Sequence, residues 1–393
     1  MPRAVPLRSL YLCVAGLAVQ VQAQAPVPGP NVNIVSGTTW PGGDPFLQRQ
    51  NEPSIAVSTR NPQHVLAGAN DYRSVDIPFP EDSGRVIGDA WVGVFKSLDG
   101  GQTWRSALLP GFPQDNTSAE SQSSPLRNFK VATDPTVRAG TNGLFYYSGL
   151  VFGRGNNAPS GVFVARYQDL NDREYNDPIK YLGAAVVDNG TSGVFLDKPW
   201  LAVDIPRGGA ICGNVYLTYS VFTGTDPGEH ENNPRSKIMF LRSTNCGVSW
   251  QQPLKLSETF SLNQGTTLAI DPRYGAVYVA WRQMESKSQS DGLVVVKSVD
   301  GGLTFGKAVQ AFTFSHDVLF DQRINPTTSF RTLALPSLAA DAGGRVYMVW
   351  PQRVGGPTGP ARIMMATSPD GTNWTTTPQV AETGAFPGHQ FMP

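Results

Sequence analysis

Five short stretches of this 393-residue chain hold carboxylates and cations that could do chemistry. QNEPS (50–54) carries Glu52, NDYR (70–73) carries Asp71 and Arg73, and LDKPW (196–200) carries Asp197, Lys198 and Trp200. WRQMES (281–286) supplies Arg282 and PQR (351–353) supplies Arg353. Asp71 or Asp197 could serve as a proton-donating acid. Arg73, Arg282 and Arg353 could grip an anionic group through paired, planar donors, with Arg282 and Arg353 the preferred pair because they hold similar places in successive repeats. Glu52, Lys198 and Trp200 would complete a charged, aromatic substrate-binding mouth. The competing explanation for each residue taken singly is structural: loop carboxylates accept hydrogen bonds from neighbouring loops, and loop arginines are solvated.

Other chemistries find less support. His64, His230, His316 and His389 stand singly, without the spacing of a zinc site or a hydrolase triad, and read as surface or loop residues. The acidic run DPGEHENN (226–233) reads as a solvated turn rather than a calcium loop. No glycine-rich phosphate loop follows a strand and opens a helix. Neither a metal nor a cofactor is expected. The 31 basic and 31 acidic residues balance, which leaves no electrostatic attraction for nucleic acid or an anionic membrane.

The elements that must position these residues are strands. Gly and Pro are abundant and dispersed, 41 and 32 respectively, and helical periodicity is hard to find. Apolar runs with a central Ala recur as PSIAVS (Ala56), FKVATD (Ala132), PWLAVD (Ala202), TTLAID (Ala269) and PSLAAD (Ala339), spaced 76, 70, 67 and 70 residues apart. A period near 70 suits a four-stranded propeller blade with long loops. Each unit continues with an aromatic, β-branched second strand such as NVYLTYS or AVYVAWR, then a third such as KIMFLRS or LVVVKS. The third strand runs into a repeated phrase: KSLDGGQTW, RSTNCGVSW, KSVDGGLTF and TSPDGTNW. Only the second unit lacks it, showing ARYQDLND instead.

In this phrase the chain resembles the Asp-box (bacterial neuraminidase repeat) proteins of the sialidase superfamily, over residues 50 to 393. The resemblance implies a sialidase-like β-propeller. The boxes would be structural: Ser97, Asp99 and Trp104; Ser243, Asn245 and Trp250; Ser298, Asp300 and Phe305; and Ser368, Asp370 and Trp374. In each, a short carboxylate or amide accepts the turn's own N–H groups, and the aromatic tucks into the blade. The resemblance also implies three arginines on a substrate carboxylate, an acid/base Asp and a Tyr nucleophile with a Glu partner. The family's Arg-Ile-Pro motif ahead of the first blade is not matched, since FLQRQNEPS offers Arg49 with no Ile-Pro after it.

The turn between strands three and four lies on the same side of a blade as the turn between strands one and two, so the boxes mark the bottom and the candidate site residues lie on top. Cys212 and Cys246 both fall on the bottom of one blade, which predicts a disulfide. Residues 1–25, with Arg3 and Arg8 ahead of LYLCVAGLAV and small residues at 23 and 25, read as a signal peptide. Residues 26–49 read as a Pro/Gly-rich leader in which NVNIVSG (31–37) could supply a closing outer strand, and 50–393 as the propeller. GHQFMP resembles the start of another inner strand, so the expectation is five complete blades plus the start of a sixth in a truncated six-bladed ring, monomeric when whole, secreted or periplasmic, without membrane insertion. Two classes of function stay open. One is a non-catalytic propeller that recognises extracellular carbohydrate or polymer, or a protein-binding scaffold; the other is an exo-α-sialidase-type glycoside hydrolase. The unmatched Arg-Ile-Pro motif tilts the reading toward recognition.

Overall fold

A computed structural model describes residues 29, 31–35, 50–76, 89–154, 158–171, 177–190, 193–205, 212–223, 235–258, 262–286, 289–321, 332–377 and 388–393. The signal-peptide reading, the acidic run and His230 lie outside these residues. Among them, five antiparallel four-stranded sheets follow one another along the chain. The first is β1 (Gln50–Val57), β2 (Val65–Asp71), β3 (Trp91–Ser97) and β4 (Arg105–Leu108). The second is β5 (Val131–Ala139), β6 (Leu144–Phe152), β7 (Ser160–Asp169) and β8 (Ile179–Gly190). The third is β9 (Val194–Val203), β10 (Val215–Thr223), β11 (Arg235–Ser243) and β12 (Leu254–Lys255). The fourth is β13 (Asn263–Ile270), β14 (Val277–Gln283), β15 (Gly292–Ser298) and β16 (Val309–Thr313), and the fifth β17 (Ser337–Ala340), β18 (Val346–Arg353), β19 (Ala361–Ser368) and β20 (Thr375–Thr377).

The first strand of each sheet packs on the first strand of the next, β1 on β5, β5 on β9, β9 on β13 and β13 on β17, which makes the assembly a β-propeller with its first strands innermost. β17 and β1 share no contact of comparable extent. Sandwiching explains the strand composition. β6 (LFYYSGLVF) is buried at all but its last residue, because neighbouring sheets cover both of its faces, whereas β18 in the fifth sheet alternates buried with half-buried side chains over Val346–Trp350. Ile34 and Val35 pack against Ala67, Ala69 and Phe95 on the first sheet, but as part of a turn. The strand expected over 31–37 is therefore not formed by its described residues.

Register corrects one element of the sequence reading. Ala56, Ala202, Ala269 and Ala339 pair with Leu66, Tyr216, Tyr278 and Tyr347 at the bottom of their second strands. In the second sheet the residue in this place is Arg138, opposite Tyr146, and Ala132 sits at the top end of the strand. The apolar run around Ala132 imitated the repeat because the inner strand is apolar at both ends.

The repeated phrases form the turns after β3, β11, β15 and β19, held by their own side chains. The Asp99 carboxylate accepts from the backbone N–H of Gln102 (3.0 Å) and Thr103 (2.8 Å) and from Thr103 Oγ1 (2.6 Å), while Ser97 Oγ accepts from Gly101 N (2.8 Å). Asp300 repeats the pattern with Leu303 and Thr304, Asp370 with Thr372 and Asn373, and Asn245 with Ser249. Trp104, Trp250, Phe305 and Trp374 each pack into a sheet core. The hydrogen bonds from Thr103 hold the Asp99 carboxyl down to about 2, and those from Thr304 depress Asp300 further. These groups therefore add stability that is present above an ordinary carboxylate pKa of about 3.9 and is lost as pH falls through the depressed folded value. An Asp99→Asn/Asp300→Asn variant is expected to show a flatter thermal midpoint than the parent between about pH 4 and pH 2; parallel curves would contradict that assignment.

Two further bottom-side features tie turns together. Cys212 and Cys246 form a disulfide with Cα atoms 5.6 Å apart, closing a 34-residue separation. Replacing both with Ser is expected to cost about 3–4 kcal/mol in urea unfolding, since an open chain gains loop entropy when unfolded. In the second sheet, where the phrase is missing, buried Asp169 holds the β1–β2 turn of the first sheet: it accepts from Ser58 Oγ (2.5 Å) and lies 2.8 Å from His64 Nδ1. His64 is thus a buried junction residue at 1% exposure, not the surface residue expected. His389 is an exposed loop residue as expected, stacked on Phe320 and accepting from the Ala361 N–H (3.0 Å).

Candidate active site where the inner strands converge

Each of the first four inner strands is interrupted by a bulge near its top. The bulged residue is left-handed in every case: Glu52 (φ 52°), Asp134 (φ 56°), Lys198 (φ 47°) and Gly265 (φ 69°). Glycine takes that conformation freely, and Gly265 has a second reason to be glycine, since a Cβ there would lie 2.5 Å from Leu335 Cδ2. The other three are charged residues, each followed by a proline that cannot donate to the sheet ladder. Left-handed backbone costs a non-glycine residue about 1–3 kcal/mol and concentrates at functional sites. Three sheets accept that cost at one level of the fold.

The three side chains meet. Lys198 Nζ lies 3.2 Å from Glu52 Oε1, joining the third sheet to the first past the second. The Asp134 carboxyl lies near enough to the Glu52 carboxyl for each to influence the other's charge. Buried Asn70 fixes the pair from below: its Oδ1 accepts from the Asp134 N–H (2.7 Å), and its Nδ2 donates to Asn51 Oδ1 (2.8 Å) with a longer contact to Glu52 Oε2 (3.5 Å). Asp197, beside Lys198, accepts from Gln264 Nε2 of the fourth sheet (3.1 Å). Glu52 and Lys198 keep roughly a third of their side-chain surface open to solvent, 38% and 34%.

Electrostatics separates the two carboxyls. Burial pushes Asp134 up, the Lys198 charge opposes it only in part, and the charges of Glu52 and Asp197 add to the rise, so Asp134 is held well above the usual carboxylate range. Burial pushes Glu52 up too, but the Lys198 charge and hydrogen bonds from Asp134, Lys198 and Asn70 outweigh it and hold Glu52 low. Burial would lower Lys198, yet the three acids around it raise it. The cluster thus holds one carboxyl raised and its neighbour lowered beside an ammonium, a division that burial and like-charged neighbours produce.

The other expected site residues are placed as follows. Asp71 is fully buried and binds Arg73 through Nε (2.9 and 2.8 Å) with a further close contact from Nη2; Arg73 is 2% exposed and also donates to Ser106 Oγ (3.1 Å). Arg282, 2% exposed, holds Asp291 through Nε and Nη2 (2.8 and 2.7 Å) and Asp321 through Nη1 (2.8 and 2.7 Å). Arg353 donates to the Gly359 carbonyl (2.8 Å) and lies over the Phe320 ring. The preferred arginine pair thus meets the same segment, Phe320 and Asp321, from two sides. Two of the three expected anion grips, Arg73 and Arg282, hold protein carboxylates instead, and Asp71, the partner of Arg73, has no exposed surface from which to donate a proton. Trp200 lies two residues past Lys198 and carries the Arg138 guanidinium over its ring, 5.0 Å from the centroid. Asp134 was missed by sequence reasoning. The signal for it is a charged residue directly before proline in three inner strands, Glu52-Pro53, Asp134-Pro135 and Lys198-Pro199.

No family model matches the chain, and no curated protein matches it. Solved structures align over most of it. The Hadza microbial sialidase Hz136 matches at 15% identity and a TM-score of 0.45, covering 84% of this chain and 58% of its own, so this chain spans little more than half of that protein. Penicillium chrysogenum α-L-arabinanase, complexed with arabinobiose, matches at 10% identity and a TM-score of 0.44 over 83% of this chain and 80% of its own. Trypanosoma rangeli sialidase in complex with the inhibitor DANA matches at 15% identity and a TM-score of 0.43, covering 85% and 49%. No group of three or more His, Cys, Asp or Glu able to hold a metal ion occurs among the described residues, and no helix there is long and apolar enough to cross a membrane.

Proposed function

We propose that this propeller binds a saccharide where its inner strands converge and cleaves a glycosidic bond there, with Asp134 as the general acid. The observation that carries the reading is that Glu52, Asp134 and Lys198 occupy matching left-handed positions on three inner strands, with Lys198 on Glu52 and Asn70 bound to both acids. A carboxylic acid that stays protonated at neutral pH is what departure of a sugar alkoxide requires. Glu52 is held low by Lys198 and by hydrogen bonding while its charge raises Asp134. Its role is therefore to keep the proton on Asp134. Asp197 is the separate carboxylate for the base. The proton of Asp134 passes to the glycosidic oxygen as the bond from that oxygen to the anomeric carbon breaks; water adds to the carbon and gives its proton to Asp197.

The contacts of Arg73 and Arg282 favour a neutral saccharide over a sialoside, because their guanidiniums already hold protein carboxylates. Export of the chain is part of the proposal and is supported by the Cys212–Cys246 disulfide, which persists in oxidising compartments. The test is reducing-sugar release from a panel of neutral polysaccharides and arylglycosides, run beside a sialoside and a glycan-binding array. Hydrolysis of a neutral glycoside that is lost in Glu52→Gln would support the reading. Sialoside cleavage would overturn the substrate assignment, binding without cleavage would leave a recognition propeller, and silence across the panel and array would favour a protein-binding scaffold.

A further inference from the structure

The second sheet ends on an outer strand unlike the others. β8 (Ile179–Gly190) runs for 12 residues, whereas β4, β12, β16 and β20, the outer strands of the other sheets, have 4, 2, 5 and 3. It is the last strand of its sheet, and its outward backbone groups meet no further strand among the described residues. Both of its faces pack on the fold. Tyr181, Ala184 and Val186 join Leu126 in the core shared with the first sheet, and Val187 packs into the core shared with the third. The edge between those faces is apolar at its centre: Gly183, Ala184, Ala185, Val186 and Val187 are half-buried and uncharged, and Leu182 is 42% exposed. Proteins blunt exposed edges by keeping them short, as the other four sheets do. A long edge with an uncharged centre is a template for pairing with another chain.

We propose that β8 pairs antiparallel with β8 of a second copy of this chain, joining two propellers in a two-fold dimer in place of the monomer expected from the sequence. The charges at its ends select that partner. A two-fold pairing centred on Ala184 sets Lys180 opposite Asp188 of the second copy and Asp188 opposite its Lys180. Both charges lie on one face of the strand, because they pair with Gln168 and Val162 of β7, which are an even number of residues apart. Sliding the register by two residues would leave all four charges unmatched. Lys180 is exposed. Asp188 accepts from the Tyr219 hydroxyl (2.5 Å) on one oxygen and from the Asn189 N–H (2.9 Å) on the other, and each oxygen has a further lone pair for an ammonium. Bulges at Leu182 and Val187 leave only Gly183–Val186 regular between them, which makes the end charges, rather than a long ladder, the source of selectivity. The interface is independent of the hydrolytic reading and would stand if that failed.

The experiment is sedimentation of the full chain over a concentration series, with hydrogen exchange read on the same samples. The wild-type chain is expected to pass from monomer to dimer as concentration rises, and β8 alone among the five outer strands should gain protection. Lys180→Asp sets acids against acids and should stay monomeric at concentrations where the wild type is dimeric. Asp188→Lys should do the same. Mixed in equal amounts the two variants should associate with each other, since every acid then faces a lysine. Lys180→Asp changes an exposed side chain, so it and the wild-type exchange decide the matter even if Asp188→Lys, which gives up the Tyr219 bond, fails to fold. A wild-type chain monomeric throughout, a dimer whose β8 amides exchange unchanged, or self-association undiminished in Lys180→Asp would each overturn the proposal.

Discussion

Asp134→Asn is expected to lose hydrolysis by about 10²–10⁴-fold and to become more stable at neutral pH. Both effects come from the same proton. The folded-state pKa of Asp134 lies well above the ordinary carboxylate value near 3.9, so the folded chain binds a proton that the unfolded chain has released. The associated stability is fully present below about pH 4 and is lost as pH rises toward the raised folded value. Asparagine keeps a donor toward Glu52 without carrying that penalty. The variant's thermal midpoint should therefore exceed that of the parent by an amount that grows from pH 4 to pH 7, a gain of about 1 kcal/mol being typical when a functional strain is removed. Activity should fall because an amide cannot transfer a proton to a leaving alkoxide. A variant as active as the parent, or one whose midpoint runs parallel to it across this pH range, would remove Asp134 from the acid role.

The largest loss of stability is expected at Arg282. Its guanidinium neutralises Asp291 and Asp321, whose side chains are 11% and 30% exposed, and Asp321 in turn accepts from the Ala334 N–H (2.9 Å) on the approach to the fifth sheet. Arg282→Leu leaves two poorly solvated carboxylates facing each other across an apolar side chain. Removing one partner of a buried ion pair costs about 3–5 kcal/mol, because the remaining charge has lost both water and its counter-ion. Arg282→Lys should recover only part of this, since a single ammonium cannot offer paired planar donors to two carboxylates at once. Urea unfolding of the three proteins measures it. A cost below about 1 kcal/mol for Arg282→Leu would mean that water reaches this network and screens it.

These two residues show what kind of information each level of description holds. Local chemistry was legible along the chain. Asp99, Asp300 and Asp370 bond within four residues of themselves, so the phrase that forms each turn also contains its partners. The alternating aromatic strands declared sheets, and counting turns placed Cys212 and Cys246 on one side of one blade, where they are bonded. Glu52, Asp197 and Lys198 were legible as top-side charges near the axis for the same reason.

What the chain alone did not determine is which side chains meet, since that depends on register and on distant elements. Pairing with β6 decides that Arg138, not Ala132, sits at the bottom of its inner strand, and the apolar run FKVATD does not reveal that pairing. Asp134 is raised by burial and by the charges of Glu52 and Asp197, which lie on two other sheets, against the opposing charge of Lys198. Arg282 resembled a free anion grip because Asp321, one of its two counter-charges, is 39 residues away. Sequence by itself determined the strands, their turns, the side of the blade on which each loop emerges and the disulfide. Only the tertiary structure decided which charges are neutralised, because electrostatic energy is set by distance and exclusion of water, and both are created when sheets far apart in the chain are packed around one axis.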